Sequence, residues 1–97
     1  MISLNSNNLF EVIIDKRVYK DLDKIPKHIS EKFLEIIDEF EIDPIHSRAK
    51  FDIKQLRGFP KDLYRLRIGD YRVLYSVDKD NRVVKITTIV PRNSAYK

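Results

Sequence analysis

Cysteine is absent from this chain of 97 residues, which excludes a disulfide framework, a thiolate metal site and a cysteine nucleophile. Glycine occurs only twice, so there is no glycine-rich loop to cradle nucleotide phosphates. No apolar run approaches the length of a membrane span or of the hydrophobic region of a secretion signal. A soluble cytoplasmic protein without membrane contact is expected. Histidine is limited to His28 and His46. The first falls in the opening turn of an expected helix and the second in a loop, so both read as ordinary surface side chains rather than an acid–base pair. Asp62, Asp70, Asp78 and Asp80 sit beside turns, where aspartate is favoured for local backbone hydrogen bonds. They do not form the clustered set a two-metal nuclease needs. No metal and no cofactor are expected.

What the chain does hold is charge on a globular frame. With 42% hydrophobic and 35% charged residues, it reads as one compact domain, large enough for a modest single core. The net charge of +4 conceals an asymmetry, because residues 50–97 alone carry +7. A basic excess confined to one part of a small domain is the electrostatic footprint of a nucleic-acid binder. Charge alone would serve a solubilising surface equally well.

The excess centres on Leu63–Val77, which alternates apolar and polar residues on both sides of Gly69-Asp70. That is the pattern of a β-hairpin with a two-residue turn. The register pairs Ile68 with Tyr71 and Arg67 with Arg72, with Arg65 two residues away on the same face. Like charges directly opposite in a sheet are destabilising, so three guanidiniums in one patch call for an anionic partner. Arginine holds phosphate bidentately and stays protonated. It suits phosphate binding and charge stabilisation better than proton abstraction.

Around the hairpin, residues 1–8 read as a flexible leader and 9–97 as the domain. Leu9–Ile14 is a predicted strand. Asp15 caps a short amphipathic helix over Lys16–Ile25, carried by Val18, Leu22 and Ile25. Pro26 opens a second helix, whose stripe of Ile29, Phe33, Ile36, Ile37 and Phe40 runs through to Glu41; Asp43-Pro44 closes it. Ile45–Phe59 reads as a connector. After the hairpin, Asp78–Asn81 is a turn and Arg82–Val90 a last strand. A four-residue loop there pairs Val77 with Arg82 and Arg72 with Thr87. The core face then holds Tyr64, Leu66, Ile68, Tyr71, Val73, Tyr75, Val77, Val84, Ile86 and Val90. The open face holds Arg65, Arg67, Arg72, Ser76, Lys85 and Thr87, with Leu74 and Ile89 as apolar exceptions. The expected fold is α+β, in the order β-α-α-β-β-β, with two N-terminal helices packed on one face of an antiparallel sheet.

Three stretches together resemble the RelE toxins of the RelE/ParE superfamily, in particular their archaeal branch: Leu56-Arg57-Gly58, the Leu63–Val77 hairpin, and Pro91-Arg92-Asn93-Ser94-Ala95-Tyr96-Lys97. The resemblance implies a toxin held inactive by a RelB-like antitoxin. Its activity would be a ribosome-dependent mRNA endonuclease that cuts in the ribosomal A site by in-line attack of the ribose 2′-OH, without metal. Matched by position, Arg65, Arg67, Arg72, Arg92 and Tyr96 are the implied catalytic residues. Leu56, with its neighbour Arg57 and with Lys85 of the open face, forms the candidate substrate-binding set. Bacterial RelE proteins offer lysines where this chain has Arg65 and Arg67, and many relatives carry histidine where it has Pro91. The general base therefore stays unassigned at this point. A ParE-type toxin that poisons gyrase and a non-cleaving RelE-like binding module are the alternative functions.

Overall fold

In the computed structural model, residues 9–57 and 62–92 are described. Seven elements follow one another: β1 (Glu11–Ile14), α1 (Lys16–Leu22), α2 (Lys27–Ile42), β2 (Asp52–Gln55), β3 (Leu63–Ile68), β4 (Tyr71–Asp78) and β5 (Val83–Pro91). The strands form one sheet in the order β1-β5-β4-β3-β2. Val18 of α1 and Ile29, Phe33, Ile36 and Phe40 of α2 join Tyr64, Leu66, Val73, Tyr75 and Ile86 of the sheet in a single buried cluster. The α+β class and the helix-covered sheet face therefore agree with the sequence reading. The expected leader, residues 1–8, lies outside the described residues.

Each helix begins and ends for a local reason. Asp15 accepts the Arg17 N–H at 2.9 Å, capping α1. This helix stops at Leu22 rather than Ile25, yet Ile25 still packs against the core from the turn that follows. Proline at position 26 precedes α2 with φ −58°, and the helix runs one residue past Glu41 to Ile42. At its end Asp43 is extended, as the residue before a proline prefers. Its carboxylate accepts the N–H groups of Ile45 and His46, both at 3.0 Å.

Three corrections to the expected sheet bear on the functional surface. The first is β2, an extra strand inside the stretch read as a connector; it pairs antiparallel with β3, Asp52 opposite Arg67 and Lys54 opposite Arg65. The order is thus β-α-α-β-β-β-β. The second is that β1 runs parallel to β5, so the sheet is mixed rather than antiparallel. A parallel pair needs a long crossover, and the two helices together with the β2–β4 meander supply it. The third is the β4–β5 register. The loop has four residues, but it spans 79–82, so Val77 pairs with Val84 rather than Arg82.

The same ladder shifts by one further residue between Leu74 and Tyr75, and the two changes together put Arg72 opposite Val90 instead of Thr87. Thr87 is the extra residue, and its hydroxyl donates to the Leu74 carbonyl at 3.1 Å. A bulge reverses which side chains face the core beyond it. Ile89 is accordingly buried, while Val90 shares the row of Arg72 on the open face, the reverse of the alternation in the sequence.

The hairpin turn is as read, with Ile68 opposite Tyr71 and Arg67 opposite Arg72. Gly69 takes φ +55°, the left-handed region, and a Cβ there would sit 3.3 Å from Ile29 Cδ1. Glycine at the first central position is the mark of a II′ hairpin turn. Replacing Gly69 by alanine should cost about 1–2 kcal/mol of stability, measured as a lower urea midpoint with an unchanged slope. A second test concerns Tyr75, whose ring lies against Phe40 and Tyr64 and whose hydroxyl donates to the Pro44 carbonyl at 2.8 Å. Burial pushes this phenol far above its ordinary range. Tyr75→Phe should lose about 1–2 kcal/mol. Because the folded state holds Tyr75 neutral, its contribution is complete below the unfolded pKa of about 10 and falls away at higher pH. The alkaline loss of stability should be shallower in Tyr75→Phe than in the wild type.

Candidate functional site

The open face of the sheet is built by the period of two in β2, β3 and β4. Burying Ile53, Leu66, Ile68 and Val73 against the helices turns Asp52, Lys54, Arg65, Arg67 and Arg72 the other way. Cross-strand pairing then arranges them in rows. One row reads Asp52, Arg67, Arg72, Val90; the next reads Lys54, Arg65, Leu74, Thr88. The three arginines of the hairpin therefore lie together, as the sequence pattern required.

They do not lie alone. Asp52 Oδ2 is 3.5 Å from Arg65 Nη1 and 3.7 Å from Arg67 Nη1. One carboxylate oxygen thus lies against two guanidiniums. The Arg65 side chain is 15% exposed and that of Arg67 41%. The Nη1 atom of Arg65 is buried and its N–H groups donate to no hydrogen-bond acceptor in this arrangement. Asp52 is a site residue that sequence reasoning missed. The only signal for it was the short alternation Asp52-Ile53-Lys54 in an otherwise irregular stretch.

Arg92 joins the same end of the sheet. Its backbone N–H donates to the Asp70 carbonyl at 2.7 Å, and its Nη1 is 3.9 Å from the Asp70 carboxylate. The end of β5 is thereby tied to the hairpin turn. Two residues beyond Val90, Arg92 stands diagonally across from Arg72. Tyr96, implied as its companion, lies outside the described residues.

The candidate substrate-binding residues are placed farther along. Lys85 sits opposite Ser76, four residues from Arg72 along β4, or roughly 13 Å at strand rise. Leu56 extends the β2 ladder, its N–H donating to the Leu63 carbonyl at 2.9 Å, which puts it in the row of Leu63, Ser76 and Lys85. Arg57 follows, exposed, past the strand end. None of these three is in the row of Arg67 and Arg72; Leu56 and Lys85 share a row at the distal part of the same face.

Both histidines are exposed, and His46 Nδ1 lies 3.0 Å from the Asp43 carboxylate, in the loop after α2. Among the described residues, no group of three or more His, Asp or Glu side chains is arranged to hold a metal ion. No helix there is long and apolar enough to cross a membrane. The chemistry on offer is cationic: guanidiniums fixed on strands, able to grip and neutralise phosphate oxygens.

Comparison with known proteins agrees with this geometry. Residues 12–96 match the family described as ParE toxin of type II toxin-antitoxin system, parDE. A Methanocaldococcus jannaschii protein designated RelE1 is 46% identical over 88 residues, covering 91% of this chain and 96% of that protein. The fold superposes on the archaeal RelE–RelB complex from Pyrococcus horikoshii OT3 with a TM-score of 0.77 and 44% identity, covering 90% of this chain and 99% of that one. It also superposes on the RelB–RelE antitoxin–toxin complex from Methanococcus jannaschii with a TM-score of 0.70 and 30% identity, covering 87% and 94%. A match across nearly the whole chain, together with relatives at this level of identity, shows that the chain belongs to the RelE/ParE family of type II toxin–antitoxin toxins and stands with its archaeal RelE members.

Proposed function

We propose that the protein is a metal-independent endoribonuclease that cleaves mRNA in the ribosomal A site. The observation that carries this reading is the convergence of Arg65, Arg67, Arg72 and Arg92 at one end of the open sheet face. In the proposed reaction the ribose 2′ oxygen attacks the adjacent phosphorus while the bond to the 5′ oxygen breaks. The 2′-OH proton is lost and the departing 5′ oxygen gains one. The products are a 2′,3′-cyclic phosphate, or the 3′-phosphate formed from it, and a 5′-OH end.

Arginine, protonated at any working pH, does not remove the 2′-OH proton. The rate enhancement assigned to this face is alignment of the RNA for in-line attack and stabilisation of the charge on the pentacoordinate phosphorus. Arg72 and Arg92, diagonal neighbours, are the pair proposed to hold the phosphoryl oxygens; Tyr96 is proposed to pack on the nucleotide. Leu56, Arg57 and Lys85 would guide the flanking chain. The proposed partners are the ribosome with its mRNA and a RelB-like antitoxin in the cytoplasm. The two archaeal complexes with RelB support the last of these. An acidic, extended antitoxin segment would suit the arginine face.

The family description also covers ParE toxins, which favours gyrase binding as a second reading. Primer extension on mRNA after induction, set beside a gyrase supercoiling assay, separates the two. On the cleavage reading, Arg72→Ala and Arg92→Ala should each abolish growth arrest while changing stability by no more than about 0.5 kcal/mol, the usual range for surface substitutions. Full toxicity in both variants would overturn it. Binding of the antitoxin should weaken steeply between low and high salt, as exposed charge pairs are screened; isothermal titration at several ionic strengths measures this.

A further inference from the structure

We propose that Asp52 is a positioning residue for the arginine face, holding Arg65 and Arg67 in place beside Arg72, where the RNA backbone at the scissile phosphodiester is aligned. The proposal rests on the RNA-cleaving function given above and adds to it a residue of a different charge and a different strand.

Arg67 stands directly opposite Arg72 and next but one to Arg65, with Lys54 across from Arg65. Like charges so arranged splay apart unless something holds them. Asp52 is the carboxylate in that row, and a single oxygen of it lies 3.5 Å from Arg65 and 3.7 Å from Arg67. Those separations are ion-pair contacts, longer than hydrogen bonds. Each guanidinium has five N–H donors, so the carboxylate fixes both cations without using up the donors a phosphate needs.

Arg65 shows why the contact orients rather than merely neutralises. Its Nη1 atom is buried and has no hydrogen-bond partner. The neighbouring Asp52 charge is the interaction that keeps a cationic nitrogen in that position. Without it, the guanidinium gains by rotating outward to water, and the two-arginine spacing is lost. Asp52 itself is 54% exposed on an edge strand, and β2 pairs through its backbone, so an asparagine there leaves the fold intact.

Two opposite effects on kinetics follow, which a purely structural residue would not produce. Asp52→Asn adds one net positive charge, so RNA attraction increases, while the arginine geometry loosens. On ribosomes programmed with a defined mRNA, kcat should fall roughly tenfold with KM no higher than wild type, and Asp52→Glu should recover at least half of the lost kcat. Asp80→Asn, the same charge change at the far β4–β5 turn, should alter neither constant. The protein alone provides a second readout: nitrogen-15 spectra of the arginine side chains should resolve separate Arg65 Nη signals in the wild type that merge in Asp52→Asn.

A kcat for Asp52→Asn within twofold of wild type would overturn the proposal. So would kcat and KM worsening together with no recovery in Asp52→Glu. If the wild type leaves ribosome-bound mRNA uncut, the cleavage reading fails, and the positioning claim is then decided by the arginine spectra: merged Arg65 signals in the wild type refute it.

Discussion

The repulsion between Arg67 and Arg72 is the constraint on which the functional surface depends. A two-residue turn at Gly69-Asp70 leaves no freedom in the register, so the two guanidiniums must face one another. The turn exists because Gly69 adopts a left-handed φ while lying close against Ile29 of α2. Helix packing, turn geometry and charge placement are thus a single decision. Where the hydrophobic core is best closed, the arginines are forced together. Among the described residues, carboxylates lie beside these cations, Asp52 against Arg65 and Arg67 and Asp70 against Arg92. Ion pairs whose carboxylates are this open to solvent add little stability. Their value lies in where they keep the cations.

The two faces of the sheet divide the labour. One is dry and closed by α1 and α2, with Tyr75 wedged among aromatic rings and tied to the loop after α2. That rigidity passes through the strands to the other face, where side chains on β3 and β4 cannot drift independently. A site built on strands is held more tightly than one on loops, which suits a mechanism made of alignment and charge rather than proton transfer. The bulge at Thr87 belongs to this arrangement. By shifting the β5 register it buries Ile89 and brings the end of the strand, with Arg92, across from the hairpin turn.

How much of this could be read from the residues depended on whether the determinant was local. The hairpin was legible because its alternation is long and its turn carries glycine, and α2 because Ile29, Phe33, Ile36 and Phe40 repeat at helical spacing. The first strand and the capped α1 were legible for the same reason. The strand holding Asp52 was not: Asp52–Gln55 is four residues long, and its pairing with β3 is a tertiary choice. The parallel partnership of β1 with β5 is likewise invisible in either segment. The bulge misled the alternation itself, since Ile89 and Val90 are both apolar and only the register decides which is inside. The grouping of Arg65, Arg67 and Arg72 on one face was therefore legible from pattern alone, Arg92 was singled out only through family resemblance, and Asp52 through neither.

The central claim is that the arginine face promotes attack by the ribose 2′-OH and not by water. Its most direct test is the chemistry of the ends left on ribosome-bound mRNA by the purified protein, read by mass spectrometry of the fragments. The account predicts a 2′,3′-cyclic phosphate or 3′-phosphate on the upstream fragment and a 5′-hydroxyl on the downstream one. A 3′-hydroxyl with a 5′-phosphate, or intact mRNA, would contradict it.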